Sequence, residues 1–331
     1  MRLPQGLPPN RHMSALLWNR CALRVRRRLR ARPIVAGMII ITAPTGAIGH
    51  QVLEHVLRSE EPIRVIVRDP ARLPSHARGR IDVVQGSHSD AAVVNKAFAG
   101  ANAVFWLVPP DPRATTAEAA YLDFTRPACA AFKTHGVERV VGISALGRGT
   151  PAGAHAGLVT ASLKMDDLIA STGVHYRAVT NPSFMDNLLR QGELIKTQGI
   201  FSLPIAGDLK QPSACTRDIA AIAAKWLLDQ TWSGVGSIPV LGPEDLSYND
   251  MARIMSEVLG KPVWFQEIPG EAFKARLLQR GMSEAMAQAN LDMWIAYNRG
   301  LDTAEPRTPQ ATTPTSFRQW CEAVLKPRVM A

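Results

Sequence analysis

Two glycines, Gly46 and Gly49, stand in the segment Thr42-Ala43-Pro44-Thr45-Gly46-Ala47-Ile48-Gly49. The apolar run Met38–Thr42 leads into them, and a helical pattern over Ile48–Leu57, with Ile48, Val52, Val56 and Leu57 on one face, leads away. Strand, tight turn and helix start together aim the backbone N–H groups of Thr45, Gly46, Ala47, Ile48 and Gly49 at one point. The positive end of a helix dipole lies behind them, which is how a dinucleotide pyrophosphate is held. The spacing is that of G-x-x-G-x-x-G with Ala43 in the first place, and alanine disfavours the positive φ that a glycine would adopt there. Glycines alone would fit an ordinary strand-to-helix turn; the flanking strand and helix are what point to a nucleotide.

Further along, other residues could complete such a site. A second apolar strand ends in Arg68-Asp69-Pro70-Ala71-Arg72. An acid at this strand end suits the ribose hydroxyls of NAD, whereas a guanidinium suits a 2′-phosphate. Arg68 therefore favours NADP(H), and Asp69 keeps NAD(H) open. Val108-Pro109-Pro110, at the end of the fourth strand, would flank the cofactor. Ser144 ends the fifth strand, where its hydroxyl could meet a substrate carbonyl or the nicotinamide, or simply cap a turn. Lys164 lies in a helical stretch with Leu163, Leu168 and Ile169. It either reaches in to the nicotinamide ribose and polarises a substrate, or stands in solvent as most helix lysines do.

Positioning these groups requires a layered α/β scaffold. Strand-like runs fall at Met38–Thr42, Ile63–Arg68, Ile81–Val84, Ala103–Val108, Arg139–Ser144 and Tyr176–Thr180, with helix-length crossovers between them. That alternation predicts a Rossmann-type, doubly wound parallel sheet whose strands are apolar on both faces. Thr115 and Glu118 read as a capping box for the helix that carries Tyr121 and Phe124. After about Asn181 the rhythm loosens. A strand at Ile200–Leu203, a helix at Arg217–Asp229, a helix opened by Ser247 and Asp250 and closed by Gly260, a strand at Val263–Ile268 and helices near Glu271–Arg280 and Ser283–Tyr297 follow. These predict a smaller, mostly helical C-terminal substrate lobe. The expected organisation is an N-terminal extension over residues 1–37 and one NAD(P)-binding domain over 38–326, with 38–181 mainly core and 182–326 mainly lobe.

Composition removes several alternatives. The formal net charge is +10, but residues 1–37 hold nine arginines and no acid, and the rest carries 29 basic against 28 acidic side chains. A nearly neutral body argues against a nucleic-acid partner. Met38 opens directly onto the first strand, so the Arg-rich stretch before it is expected to be disordered or non-native, with a transit peptide or membrane-surface arm as rival readings. Cys21, Cys129, Cys215 and Cys321 are scattered, with no C-x-x-C pair. No zinc site or disulfide framework is suggested, and a cytoplasmic setting is expected. No apolar run approaches the roughly 18 residues that span a bilayer, so no membrane role is expected.

Taken in order and spacing, several segments make the chain similar to the NmrA-like branch of the atypical short-chain dehydrogenases/reductases. They are Ile40–Gly49, Val65–Leu73, Asp82–Asp90, Gly100–Val108, Val137–Gly147, Asn181–Leu188, Arg217–Ala220, Leu241–Met251 and Pro314–Phe317. The resemblance covers roughly Met38 to Leu325. It implies an NAD(P)(H)-binding core in which Gly46 and Gly49 cradle the pyrophosphate, Arg68 meets the 2′-phosphate and Ser144 faces the nicotinamide. Phe184, Met185 and Asn187 would line the substrate side. The chain also departs from the wider superfamily: Thr160 stands where Tyr-x-x-x-Lys would put the tyrosine before Lys164, Ser87 replaces an acid near the adenine, and Asn181 replaces the arginine of the usual Arg-Pro.

Two functions are compatible with this reading. One is an NADPH-dependent reductase that passes hydride to a quinone-like or other conjugated small-molecule acceptor. Loss of the tyrosine acid harms this chemistry less than alcohol dehydrogenation, because a quinone accepts hydride directly and takes its proton from water. The other is a non-catalytic NAD(P) redox sensor that binds a regulatory partner, which the loss of the tyrosine favours. On the first reading Ser144 and Lys164 are the candidate catalytic residues, with Tyr121, Tyr176 or His155 as alternative proton donors. Substrate identity and oligomeric state are left open.

Overall fold

The structure, a computed structural model, describes residues 37–330; the expectations for the N-terminal extension lie outside the described residues. The first half alternates β1 (Met38–Thr42), α1 (Ala47–Val56), β2 (Ile63–Val67), β3 (Ile81–Gln85), α2 (Ala91–Phe98), β4 (Ala101–Trp106), α3 (Phe124–His135), β5 (Arg139–Ala145), α4 (Leu158–Ala170) and β6 (His175–Asn181). The second half contributes β7 (Ser183–Phe184), α5 (Gly192–Gln198), β8 (Ile200–Leu203), β9 (Gln211–Ala214), α6 (Thr216–Leu228), β10 (Val235–Pro239) and β11 (Asp245–Leu246). It continues with α7 (Tyr248–Leu259), β12 (Trp264–Glu267), α8 (Gly270–Gln279), α9 (Glu284–Asn298), α10 (Phe317–Trp320) and α11 (Lys326–Met330).

Seven strands form one parallel sheet in the order β10-β6-β5-β4-β1-β2-β3. The chain works outward from β1 to β3 and then returns to the other side of β1 at β4. The crevice between the ends of β1 and β4 is therefore the switch point where a doubly wound sheet takes its ligand. Alternation along β1 shows why both faces must be apolar. Ile39 and Ile41 pack with Val52, Leu53 and Val56 of α1 and Ile219, Ala220 and Ala223 of α6. Ile40, pointing the other way, packs with Val94 and Phe98 of α2 and Phe132 of α3.

The second half does more than supply a lobe. Helix α6 covers one face of the sheet, and β10 pairs with β6 to complete it. The remaining elements form a helical lobe with its own core, built around Phe201, Tyr248, Met255, Trp294, Tyr297, Phe317 and Trp320. Two small sheets stiffen it: β11-β9-β7, and the parallel pair β12-β8. Helix α7 begins with the expected capping box, in which Ser247 Oγ accepts the Asp250 N–H at 3.1 Å and Asp250 accepts the Ser247 N–H at 3.2 Å. It ends at Gly260, whose φ is 68°. The box expected at Thr115 is displaced by one residue: Thr116 Oγ1 accepts the Ala119 N–H at 2.9 Å, and Glu118 is drawn into an ion pair instead. No helix among the described residues is long and apolar enough to cross a membrane.

Candidate active site

The turn between β1 and α1 is held from both sides. Thr42, fully buried, donates its hydroxyl to the Phe105 carbonyl at 2.9 Å and accepts the Leu107 N–H at 3.0 Å. One side chain thereby ties the two walls of the switch point together, just where β4 gives way to Val108-Pro109. Ala43 adopts φ 50°, the left-handed conformation for which the missing glycine would be suited. Its carbonyl then accepts the Gly46 N–H at 3.0 Å.

Gly46 is the N-cap of α1, with no side-chain cap and no acidic residue in the first turn. The first-turn N–H groups are thus left for an anion. Gly49 is required by proximity: a Cβ on it would lie 2.2 Å from the Ala43 carbonyl oxygen and 3.1 Å from that of Thr42. Thr45 and Ala47 border the opening, whereas the Ile48 side chain is core, so that Ile48 can contribute only its backbone. Gln51 joins this helix to α6 by donating to Thr216 Oγ1 at 3.0 Å. Asp186 in turn caps α6, accepting the Thr216 N–H and hydroxyl at 2.9 Å each.

Beside the turn, Arg68 is exposed at the end of β2, and Arg72 is exposed nearby. Asp69, also exposed, accepts the Ala71 N–H at 3.0 Å through one carboxylate oxygen and caps its own turn. The other oxygen of Asp69 stays open to solvent, so this corner presents both the guanidinium of Arg68 and a carboxylate. At the end of β3, His88 is buried edge-on between Trp106 and Phe124, with Nε2 2.9 Å from the Leu107 carbonyl. Burial, with the charge of Arg68 adding to it, pushes this imidazole down to about 4, so it is neutral at physiological pH.

At the ends of β5 and β6 the groups singled out by sequence are engaged elsewhere. Ser144 donates its hydroxyl to Asp166 at 2.5 Å, and Tyr176 donates to the other oxygen of the same carboxylate at 2.6 Å. Arg148 closes the cluster at 3.3 Å. Burial pushes Asp166 up to about 6 although all three donors pull it down.

Asp166 and Lys164 are two residues apart on α4 and cannot share a face. Lys164, half exposed, pairs with Glu118 at 3.0 Å. The Thr160 hydroxyl donates to the Gly153 carbonyl at 2.9 Å and accepts the Ala156 N–H at 2.8 Å, which fastens the preceding turn to α4. Of the alternative donors, Tyr176 is bound to Asp166 and Tyr121 is pushed up to about 12 by burial. His155 borders a separate depression with Thr150, Ile295 and Arg299.

Phe184, Met185 and Asn187 are brought together. They line a small cavity of about 40 Å³, with Ser183, Gln211, Tyr248, Met251 and Trp294 completing the walls. Sequence reasoning missed the last four because they come from β9, α7 and α9, far from the substrate loop in the chain. Asp302, which lies behind Ser183, is buried, and its Oδ2 has no hydrogen-bond partner among the described residues.

Residues 36–312 match the NmrA-like family. The chain is 30% identical to the (4-alkanoyl-5-oxo-2,5-dihydrofuran-3-yl)methyl phosphate reductase of Streptomyces griseus, over 86% of this chain and 96% of that protein. It is 28% identical to the NAD(P)H azoreductase of Xenophilus azovorans, over 78% of this chain and 86% of that one. Its fold superposes on the NADPH-dependent quinone oxidoreductase of Escherichia coli, solved with NADPH, at a TM-score of 0.66 and 24% identity, covering 83% of this chain and 97% of the other.

Proposed function

The chain belongs to the NmrA-like family, and from that premise we propose that it is an NADPH-dependent reductase of quinone-like or other conjugated small molecules. The observation that carries the reading is the turn Ala43–Gly49: a left-handed residue, a helix start without a side-chain cap and a glycine that no other residue could replace without a clash. These features fit a pyrophosphate, and exposed Arg68 would take the 2′-phosphate by a charge-assisted hydrogen bond. The bound dinucleotide would supply a hydride at the β4–β5 end of the crevice. Val108 would wall the nicotinamide, and the side chains of Phe184, Met185 and Trp294 would offer an apolar border to a flat acceptor. Relatives named as reductases of an oxo-dihydrofuran, azo compounds and a quinone support an acceptor of this conjugated class.

Holding donor and acceptor in register can alone supply about 7–11 kcal/mol of barrier reduction. The engagement of Ser144, Thr160 and Lys164 by Asp166, Gly153 and Glu118 leaves a second reading, a cofactor-binding regulator without turnover. The test is NADPH oxidation against a panel of quinones and azo compounds, with cofactor binding measured in parallel. Turnover supports the reductase; tight binding with no turnover on any acceptor moves the protein to the regulator class.

A further inference from the structure

An acceptor needs more room than the cavity at Phe184 and Met185 provides, since a volume of about 40 Å³ holds little beyond water. A second depression, of about 420 Å³, opens where β5 leaves the sheet and is lined by Thr150, Pro151, His155, Ile295 and Arg299 among others. That volume lies within the range of about 300–1,000 Å³ usual for small-molecule sites. We propose that this depression seats the anionic tail of the acceptor, a phosphate ester or carboxylate, on the guanidinium of Arg299 and the imidazole of His155. The inference rests on the reductase reading and names the substrate class which that reading leaves open.

One wall is the turn that follows β5. The Gly147 carbonyl, three residues beyond Ser144, accepts the Thr150 N–H at 3.2 Å and the Thr150 hydroxyl at 2.8 Å. Gly153 donates its N–H to Thr150 Oγ1 at 3.0 Å, and the short helical turn Ala152–His155 carries the imidazole. Thr160 fastens that turn to α4, so the residue at the tyrosine position braces the wall that presents His155. The other wall is the end of α9, where Ile295 lines the depression and Arg299 is the C-cap. The two walls meet where Leu301 packs against Gly147: a Cβ on the glycine would lie 2.3 Å from the leucine side chain. The depression is thereby fixed to the exit of the strand that carries Ser144.

Its chemistry has two sides. Pro151, Ala152, Ile295 and Ala304 offer an apolar surface, on which Ile295 is left 39% exposed. Arg299 and His155 are both exposed, and no carboxylate among the described residues lines the depression. An arginine at a helix C-terminus offsets the negative end of the dipole. Within the described residues, however, Arg299 bonds only through its backbone N–H, to Ala296 and Tyr297. The guanidinium fork is left for an oxyanion, which it meets through two parallel N–H groups. An apolar body with an anionic end matches both sides, whereas a neutral acceptor leaves the fork unused.

The experiment measures NADPH oxidation by the full chain with three naphthoquinones, alike except that a short alkyl chain ends in phosphate, carboxylate or hydroxyl. In the parent, KM for the two anionic quinones should lie roughly ten- to hundredfold below that for the alcohol. Their kcat values should agree within about threefold, because the chain end is remote from the ring that takes the hydride. Arg299→Ala should abolish most of the KM difference, Arg299→Glu should reverse it, and Arg299→Lys, which keeps the charge without the fork, should restore part of it. Equal KM values in the parent, or an undiminished difference in Arg299→Ala, overturns the proposal while turnover of the alcohol leaves the reductase reading intact. If the parent binds NADPH and reduces none of the three, the reductase reading fails, and calorimetric titration of the phosphate quinone into the NADP⁺-loaded protein decides the depression separately. Saturable binding that Arg299→Glu abolishes supports the site; no binding, or equal binding in the variant, overturns it.

Discussion

Gly49→Ala should damage this protein more than a single methyl group ordinarily would, and the sign follows from competing magnitudes. Gly49 lies inside α1, where replacing glycine by alanine normally gains about 1 kcal/mol of helix propensity. Here the new Cβ would lie 2.2 Å from the Ala43 carbonyl oxygen and 2.8 Å from its carbon. The obstructing atoms are main chain. They cannot swing aside, because that carbonyl accepts the Gly46 N–H and the preceding Thr42 is tied to Phe105 and Leu107. Overpacking of this kind costs about 1–3 kcal/mol, and a rigid obstacle puts it near the upper end.

The net expectation is a loss of about 1–2 kcal/mol, which for a body of this size lowers Tm by roughly 2–6 °C. NADPH affinity should fall at least about tenfold, since the N–H groups that would meet the pyrophosphate move with the turn. Ala43→Gly probes the same turn with the opposite sign. It relieves about 1–2 kcal/mol of left-handed strain and gives back about 0.4–1 kcal/mol through a freer unfolded chain, a net gain of about 0.5–1 kcal/mol. Thermal melts and fluorescence titration with NADPH read both variants. A Gly49→Ala protein with parental Tm and affinity would refute the reasoning.

Other expectations follow from neighbouring residues. Arg68→Ala should weaken NADPH binding roughly ten- to hundredfold and leave NADH binding nearly unchanged; calorimetric titration with equal affinities in the parent protein would remove Arg68 from the site. Lys164→Ala should change stability by less than about 1 kcal/mol and kcat less than about threefold, because the ammonium is paired with Glu118 at an exposed position. Thr160→Val should instead cost about 1–3 kcal/mol in denaturant melts by orphaning the Gly153 carbonyl and the Ala156 N–H. His88 is neutral in the fold down to about 4, against 6.5 in its ordinary state. The unfolded chain therefore binds the extra proton first, and stability should fall by roughly 2–3 kcal/mol as pH drops from about 6.5 to 4. A His88→Gln variant without that decline supports the account, and an identical decline in both refutes it.

What the sequence disclosed depended on how local the physics was. The β1 strand, its turn and α1 were legible because period, glycine spacing and helix start lie within a single stretch of chain. The Ser247–Asp250 box was legible for the same reason. Strand β10 was not: it is an edge strand with Val235 61% exposed, broken by Gly236 and ended by Pro239, and it has no apolar period to show. At the site, motif spacing drew attention to Lys164, while the group that meets Ser144 is two residues on. A signal for Asp166 did exist. Val159, Ser162, Asp166 and Ile169 recur at helical spacing on the buried side of α4, so a carboxylate stood on an apolar stripe and needed partners. Tyr248, Trp294 and Asp302 gave no such sign, because their significance arises only when the lobe folds back over the crest of the sheet.

The contrast between the two buried aspartates bears on which of them can carry a proton at neutral pH. Both are almost wholly withdrawn from water, so burial raises both. Asp166 is surrounded by the hydroxyls of Ser144 and Tyr176 and the guanidinium of Arg148, which stabilise its charge and hold it to about 6. It is ionised at neutral pH, and its fixed acceptors lock Ser144 in place. Asp302 has only a backbone N–H to support its charge and rises to about 8, so it stays protonated. The sign of the stability effect follows. A carboxyl whose folded pKa exceeds its unfolded value of 3.8 favours the fold at low pH and forfeits that advantage as pH rises through the folded pKa. The parent should therefore lose Tm between pH 6 and pH 9, and Asp302→Asn, which has no charge to bury, should lose less. If the two melting curves shift in parallel across that range, Asp302 is already ionised at pH 6, and the neutral carboxyl expected from its burial is not there.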